Sequence, residues 1–190
     1  MKPLIAIPAA GASTRMGDRD KLLEMVDGIP LLRRQALAAI AVGCPVTVLV
    51  RPNDHDRRNA LDGLDVDITE VPNAAEGLSA TLKAAAQLPS DQQALVILLP
   101  DIPGIGTDEI KLVINKFVQS DGTSVVRAVD DQGRPGFPVV VPHELLSTFD
   151  DIDGDRGLSV RDYLAVEFAD DRVTRDLDAP EDWAKWRGSD

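Results

Sequence analysis

Four residues of this 190-residue chain have the types and spacing for chemistry on phosphate: Arg15, Lys21, Asp101 and Asp178. Arg15 and Lys21 close a small-residue loop, AAGASTRMGDRDK, that follows the apolar run LIAIP. Main-chain N–H groups in such a loop point at an anion, and side-chain cations neutralise what remains. A guanidinium grips phosphate through two parallel hydrogen bonds, whereas an ammonium is a point charge suited to charge developing on an α-phosphate. Arg19 is flanked by Asp18 and Asp20, so its case is the weakest of the three cations. Asp101 follows the apolar run ALVILLP, where an unpaired buried carboxylate would be expensive. At a strand's carboxyl end it belongs in a ligand crevice, because Mg2+ takes one or two carboxylates plus phosphate oxygens. The plainer alternative for Asp101 is a turn or helix-cap residue. Asp178 is the natural second ligand, with Asp176 competing. The two are expected on opposite sides of an extended segment, and one of them is free to cap the last helix. Ser79 suits either a base or ribose contact or the N-cap of the helix after it. His55 and His143 lack metal-ligand spacing and read as surface residues, and Arg33 and Arg34 as the solvent face of a helix.

The elements that must position these groups alternate along the chain. Strand-length apolar runs begin at Leu4, Val46, Val66, Ala94, Ser124 and Pro138, and four are nearly continuous, as strands covered on both faces are. Helical patterns lie between them: one opened by Pro30, a short one capped by Asn53 or Asp54, an Ala-rich one from Ser79 that Pro89 ends, and one capped by Thr107 or Asp108. This alternation predicts an α/β fold, a three-layer α/β/α sandwich around a mostly parallel, Rossmann-like sheet. The turn Asp130-Asp131-Gln132-Gly133 joins two strands directly, so part of the sheet is antiparallel. Trp183 and Trp186 share one helix face and pack a C-terminal helix onto the body. Ligands of open α/β sheets bind at strand carboxyl ends, so the loops after Ile7, Val71 and Leu99, and the chain near Leu177, should converge on one crevice.

Composition bounds the partners. Residues 1–190 suit a single domain with a full core, and 44% hydrophobic content is ordinary for one. A formal net charge of −12 argues against nucleic acid and against an anionic membrane surface. Cys44 is the only cysteine, which points to a reducing, cytoplasmic setting. The start MKPLIAIPAA resembles a signal peptide superficially. Its apolar run is short, is broken by Pro8 and continues into the loop, so a buried strand is the better reading. No run has the length of a membrane span.

The loop fits neither G-x-x-x-x-G-K-[ST] nor G-x-G-x-x-G. AAGASTRMGDRDKLL instead resembles the opening signature of the MobA-like NTP transferases, which include the molybdenum cofactor cytidylyl- and guanylyltransferases. The likeness continues in order with GLSATLKAA (77–85), LLPDIPGI (98–105), GRPGFPVVV (133–141), GDRGLS (154–159) and DLDAPEDW (176–183). It implies the nucleotide-diphospho-sugar transferase-like fold and a Mg2+-dependent transfer of a nucleoside monophosphate, with release of pyrophosphate. Carried over by position, it makes Arg15, Lys21 and Asp101 catalytic and Asp101 and Asp178 the metal ligands. The same transfer makes Ala9, Ala10, Gly11, Ala12, Ser13, Arg15, Lys21, Gly77 and Ser79 nucleotide-binding. Ala9-Ala10-Gly11 matches the cytidylyl pattern rather than Ala-Gly-Gly, so CTP is favoured as donor, with molybdopterin or molybdenum cofactor as the phosphate-bearing acceptor. Transient contact with a molybdoenzyme or its chaperone is implied as well. Two departures fall on the acceptor side: Phe137 where cytidylyl relatives carry His, and Leu158-Ser159 where a small residue and Arg are usual. The alternatives are a GTP-using or sugar-1-phosphate nucleotidyltransferase, or a non-catalytic nucleotide- or cofactor-binding chaperone. A methylerythritol phosphate cytidylyltransferase is disfavoured, since residues 100–103 read PDIP rather than Asp-x-Ala-Arg-Pro.

Overall fold

Alternation along the central strands decides the architecture. In β1 (Leu4–Ala9), Ile5, Ile7 and Ala9 turn to one face and Leu4 and Ala6 to the other, and all are buried. Such a strand is stable only when both faces are covered. In this computed structural model, which describes residues 2–88, 92–151 and 162–187, they are. Helices α1 (Leu31–Ile40) and α4 (Thr107–Gln119) cover the first face, setting Leu32, Ala36, Ile110, Val113 and Phe117 against Ile5, Val48 and Val96. Helix α3 (Leu78–Ala86) and the 3-10 segment His143–Asp151 cover the second, with Ala80, Leu82, Ala85 and Phe149 against Leu95, Ile97 and Val139.

The remaining strands are β2 (Met25–Val26), β3 (Ile29–Pro30), β4 (Val46–Val50), β5 (Asp67–Glu70), β6 (Ala94–Ile97), β7 (Val126–Val129), β8 (Pro135–Pro142) and β9 (Leu164–Glu167). Among the described residues β1 and six of these strands form one sheet in the order β5-β4-β1-β6-β8-β7-β9, and β2 and β3 form a small separate ribbon. Pairings β1–β4, β1–β6, β4–β5 and β7–β9 are parallel, and β8 runs antiparallel to both β6 and β7. The sheet is therefore mixed and mostly parallel, with helices on both faces, as the sequence pattern predicts.

The turn at Asp130 is built from side chains. Asp130 accepts hydrogen bonds from the Gln132 and Arg134 N–H groups and from Thr174 Oγ1, at 3.0, 2.9 and 2.8 Å. Burial pushes its carboxyl up, but these bonds and the Arg134 side chain hold it at about 2. Gly136 packs so tightly on the segment before the C-terminus that a Cβ would lie 2.2 Å from the Val173 carbonyl oxygen.

Three local expectations are corrected. The N-cap of α4 is Gly106 rather than Thr107 or Asp108, with Glu109 accepting the Gly106 N–H at 2.9 Å. The N-cap of α3 is Gly77, whose φ of 100° is a glycine conformation, so Ser79 lies inside the first turn. Arg33 and Arg34 do not line a solvent face. Arg33 donates to the Ala60 and Asp62 carbonyls and Arg34 to the Pro103 carbonyl, tying α1 to neighbouring loops. Asp54 does cap the short helix α2 (His55–Ala60), accepting from the Arg57 N–H. The expected helix end at Pro89 and the motif at 154–159 lie outside the described residues. Among the described residues no helix is long and apolar enough to cross a membrane.

Candidate active site

Strand β1 is an interior strand between β4 and β6, and the chain leaves its carboxyl end through Ala10 into the small-residue loop. Ser13 takes a left-handed conformation (φ 53°), a 3-10 turn spans Thr14–Met16, and Gly17 follows at φ 66°. Met16 is the one residue of this excursion that reaches apolar cover, packing with Leu31, Leu177 and Trp183. Asp20 then accepts the Leu22 N–H at 3.0 Å and starts a second 3-10 turn, Lys21–Leu23, which presents the Lys21 side chain.

Strand β6 delivers the carboxylate. After Ile97 the chain runs through Leu98 and Leu99 to Asp101, whose carbonyl accepts the Leu177 N–H at 3.0 Å. That bond holds residues 176–178 beside Asp101. Leu177 is 1% exposed, so Asp176 and Asp178 both face the cleft. The expectation that they point apart is corrected. Residues two apart in an extended segment share a side, and it is the residue between them that is buried. Neither caps helix α5 (Pro180–Arg187). Asp182 does so, accepting the Ala179 N–H at 2.9 Å.

The four residues singled out for phosphate chemistry meet. Lys21 Nζ donates to Asp101 Oδ2 at 2.6 Å and also to Asp178 Oδ1, and Arg15 donates to Asp178 Oδ2. Burial alone would draw the Lys21 ammonium's pKa down, and the Asp101 and Asp178 carboxylates more than reverse it. Lys21 is therefore a fixed cation between two anions. Asp101 Oδ1 is buried and has no hydrogen-bond partner among the described residues, whereas buried polar atoms are ordinarily paired. Asp176 is in a different state. Partial burial, then the Asp178 and Asp101 charges, push its carboxyl above the usual range, against a weaker pull from Lys21.

These groups line one side of a cleft of about 510 Å3, and Ala74, Gly77, Leu78 and Thr81 line the other. The loops after Ile7, Val71 and Leu99 and the chain near Leu177 thus converge as the strand-end rule predicts. Gly11, Ala12, Ser13, Arg15, Lys21, Gly77, Asp101 and Asp178 line the cleft. Ala9 and Ala10 are buried behind the loop, and Ser79 is buried in α3, so none of these three reaches it. Arg19 turns to Glu24, at 3.4 Å. His55 and His143 are exposed. Sequence reasoning missed Thr81, one turn beyond Gly77 on the cleft-facing side of α3, and Arg57, a fully buried cation from α2. Helical spacing from Gly77 could have found Thr81, but no local signal marks Arg57, whose guanidinium donates its hydrogen bonds to groups 37 to 48 residues away.

The arrangement suits a divalent cation of the oxygen-preferring kind. Two carboxylates face each other across one ammonium, one of their oxygens has no partner among the described residues, and no His or Cys is among the residues that line the cleft. Among the described residues no group of three or more His, Cys, Asp or Glu side chains is gathered for a metal, so phosphate oxygens and water would complete the shell.

Residues 5–173 match the family model described as MobA-like NTP transferase domain. The chain is similar, at 18% identity and a TM-score of 0.82, to the structure of a nucleotidyl transferase from Methanothermobacter, covering 99% of this chain and 97% of that one. It is likewise similar to the structure of Rv0371C in complex with manganese from Mycobacterium tuberculosis, at 20% identity and a TM-score of 0.78, with each chain covered completely. A protein of Natronomonas pharaonis described as "Probable molybdenum cofactor guanylyltransferase" is 43% identical over 70 residues. That match spans 35% of this chain and 35% of that protein.

Proposed function

We propose a reaction for this chain, which belongs to the MobA-like NTP transferase family and is a nucleotidyltransferase: transfer of CMP from CTP to a phosphate-bearing acceptor, with pyrophosphate released. The observation that carries it is the Lys21 ammonium held between Asp101 and Asp178 on one side of the cleft, with Arg15 beside them. A site for binding alone has no need to spend two carboxylates against an incoming polyanion. A site that also takes a divalent cation does.

In the proposed mechanism an oxygen of the acceptor phosphate attacks the α-phosphorus in line, and the bond to the β-phosphate oxygen breaks. Loop N–H groups from Gly11 to Ser13 and the Arg15 guanidinium hold the β- and γ-phosphates, so that the leaving pyrophosphate keeps its charge neutralised. The Lys21 ammonium, fixed by two carboxylates, is the cation that offsets charge gathering on the α-phosphate. Asp101 and Asp178 would hold Mg2+, which when bound supplies Lewis-acid stabilisation of phosphate oxygens. The structure of mycobacterial Rv0371C is a complex with manganese, and this supports a divalent cation in the reading proposed here. Gly77 and Leu78 put the N-terminus of α3 at the opposite wall, where base and ribose would lie. Phosphoryl-type transfer asks chiefly for positioning and charge neutralisation, and the named groups supply both.

CTP is favoured by Ala9-Ala10-Gly11, and molybdopterin or molybdenum cofactor by the family resemblance, which also suggests transient contact with a receiving molybdoenzyme or its chaperone. The guanylyltransferase description of the Natronomonas protein favours GTP as the second reading. Pyrophosphate release from CTP and GTP with Mg2+, each with and without molybdopterin, tests both. The proposal expects release with CTP, Mg2+ and acceptor together. Asp101→Ala should lower it at least about 100-fold while the circular dichroism spectrum is retained. Release unaffected by that substitution would remove Asp101 from the mechanism, and tight NTP binding with no release under any acceptor would favour the chaperone reading.

A further inference from the structure

We infer that Arg57 is a positioning residue for the phosphate-binding loop, a clamp that sets where Lys21 and Arg15 stand. This inference rests on the reading of the cleft as a polyphosphate site. Arg57 comes from α2, in the connection between β4 and β5, and its side chain is fully buried. It spends every guanidinium nitrogen on the loop. Nε and Nη2 grip the Asp20 carboxylate at 2.7 and 2.9 Å, Nη1 donates to the Ala9 carbonyl at 2.7 Å, and Nη2 also reaches Ser13 Oγ at 3.2 Å. These three partners are the loop's two feet and its bend: the end of β1, the left-handed Ser13, and the residue before Lys21. Ser13 Oγ in turn donates to Asp20 Oδ1 at 3.0 Å, which closes the network. On the far side Asp54, the N-cap of α2, lies 3.6 Å from Arg57 Nε, so the clamp is itself held.

The loop needs such a device because little else shapes it. Gly11, Ala12, Thr14, Arg15, Gly17, Asp18 and Arg19 are exposed, and Met16 alone is buried. One buried thioether side chain cannot specify a path of ten residues whose exposed face must stay open for an anion. Burial alone would push the Asp20 carboxyl up, and the Arg57 guanidinium, with the bonds from Leu22 and Ser13, outweighs it and holds Asp20 ionised. A buried ion pair of this kind is a poor route to stability, since well-packed apolar residues usually do as well. What it fixes is geometry. Asp20 is held by two parallel hydrogen bonds, and the adjoining Lys21 begins the turn that Asp20 caps.

The test uses Arg57→Met, Arg57→Lys and Asp20→Asn in the full chain, with Phe117→Leu, a core substitution in α4 remote from the cleft, as a destabilised control. Calorimetry reads the affinity for tripolyphosphate, and steady-state kinetics the KM for NTP and for acceptor separately. Arg57→Met should weaken tripolyphosphate at least tenfold and raise the NTP KM similarly, with the acceptor KM changed less than twofold. Arg57→Lys, which restores the charge without the two-pronged grip, should fall between wild type and Arg57→Met. Asp20→Asn should match Arg57→Met, and the double variant should be no worse than either. A folded Arg57→Met whose tripolyphosphate affinity stays within twofold of wild type overturns the inference. So does an equal loss in Phe117→Leu. If Arg57→Met does not fold, Arg57→Lys and Asp20→Asn are judged on the same ratios. Wild-type protein that binds tripolyphosphate yet releases no pyrophosphate from any NTP would overturn the reaction, while the clamp would still stand or fall on the binding ratios.

Discussion

Asp176 is the carboxylate that the cleft leaves without a cation of its own. Asp101 and Asp178 share Lys21, and Arg15 adds to Asp178, whereas Asp176 has those two anions as neighbours. Partial burial and the like charges raise its pKa, so the folded protein holds the Asp176 proton to higher pH than the unfolded chain, whose ordinary value is 3.8. The sign follows: folding stability is lost as pH rises above 3.8 through the raised pKa, and at neutral pH the charge is a liability. Asp176→Asn should therefore raise the melting temperature of the ligand-free protein at pH 7, through a stabilisation no larger than the ~1 kcal/mol of a solvent-screened charge. The difference from wild type should vanish below pH 3.8, as thermal melts from pH 3.5 to 8 would read. Asp178→Asn should behave differently, because it breaks the contacts to Lys21 and Arg15, and a melting temperature that rises equally in both variants would contradict this division.

Helix α5 has a task that its modest size conceals. Trp183 is 1% exposed and packs with Met16, next to Arg15, and with Leu177, next to Asp178. Trp186 meets it edge-to-face at 6.2 Å between centroids, and Arg187 lies over its ring and reaches Glu24. One indole thus supports the loop that carries a cation and the segment that carries a carboxylate. Trp183→Ala should cost about 3–5 kcal/mol of stability, the usual range for emptying a large buried aromatic site. Because the cavity lies beneath both site segments, it should also raise the NTP KM several-fold, measured at a temperature where the variant remains folded by circular dichroism. A loss of stability with unchanged KM would limit α5 to packing.

The whole chain is proposed to be one folding unit, residues 1–190, since the sheet runs unbroken from β5 to β9 and both helical layers pack against it. Differential scanning calorimetry should then show a single transition. A ligand that binds only the native state, at a hundred times its Kd, adds about 2.7 kcal/mol. For a domain of this size that is a rise of roughly 5–11 °C in the midpoint. Mg2+ with CTP should move the entire transition by that amount. Two transitions, of which CTP moves one, would divide the chain into two units.

Much of this was legible in order and periodicity. The apolar runs with alternating inward residues specify strands covered on both faces, and Pro30, Asp54 and the DDQG turn punctuate them where the structure does. The cation loop after β1 and Asp101 after β6 were readable because an apolar strand leaves a charged residue beyond its end few places to go but the crevice. What sequence alone did not decide is everything that depends on distance in space rather than along the chain. The side that Asp176 and Asp178 share faces the cleft because Leu177 is drawn into a cluster with Met16 and Trp183, 161 and 6 residues away. Ala9, Ala10 and Ser79 carry the family pattern yet lie behind the surface, since the two apolar cores take the side chains of Ala9 and Ala10 and α3 buries Ser79. Arg57 looks like any helix arginine until the fold brings Asp20, Ser13 and the Ala9 carbonyl around it. A charge is buried only where its partners are already assembled, and that assembly is a property of the tertiary structure.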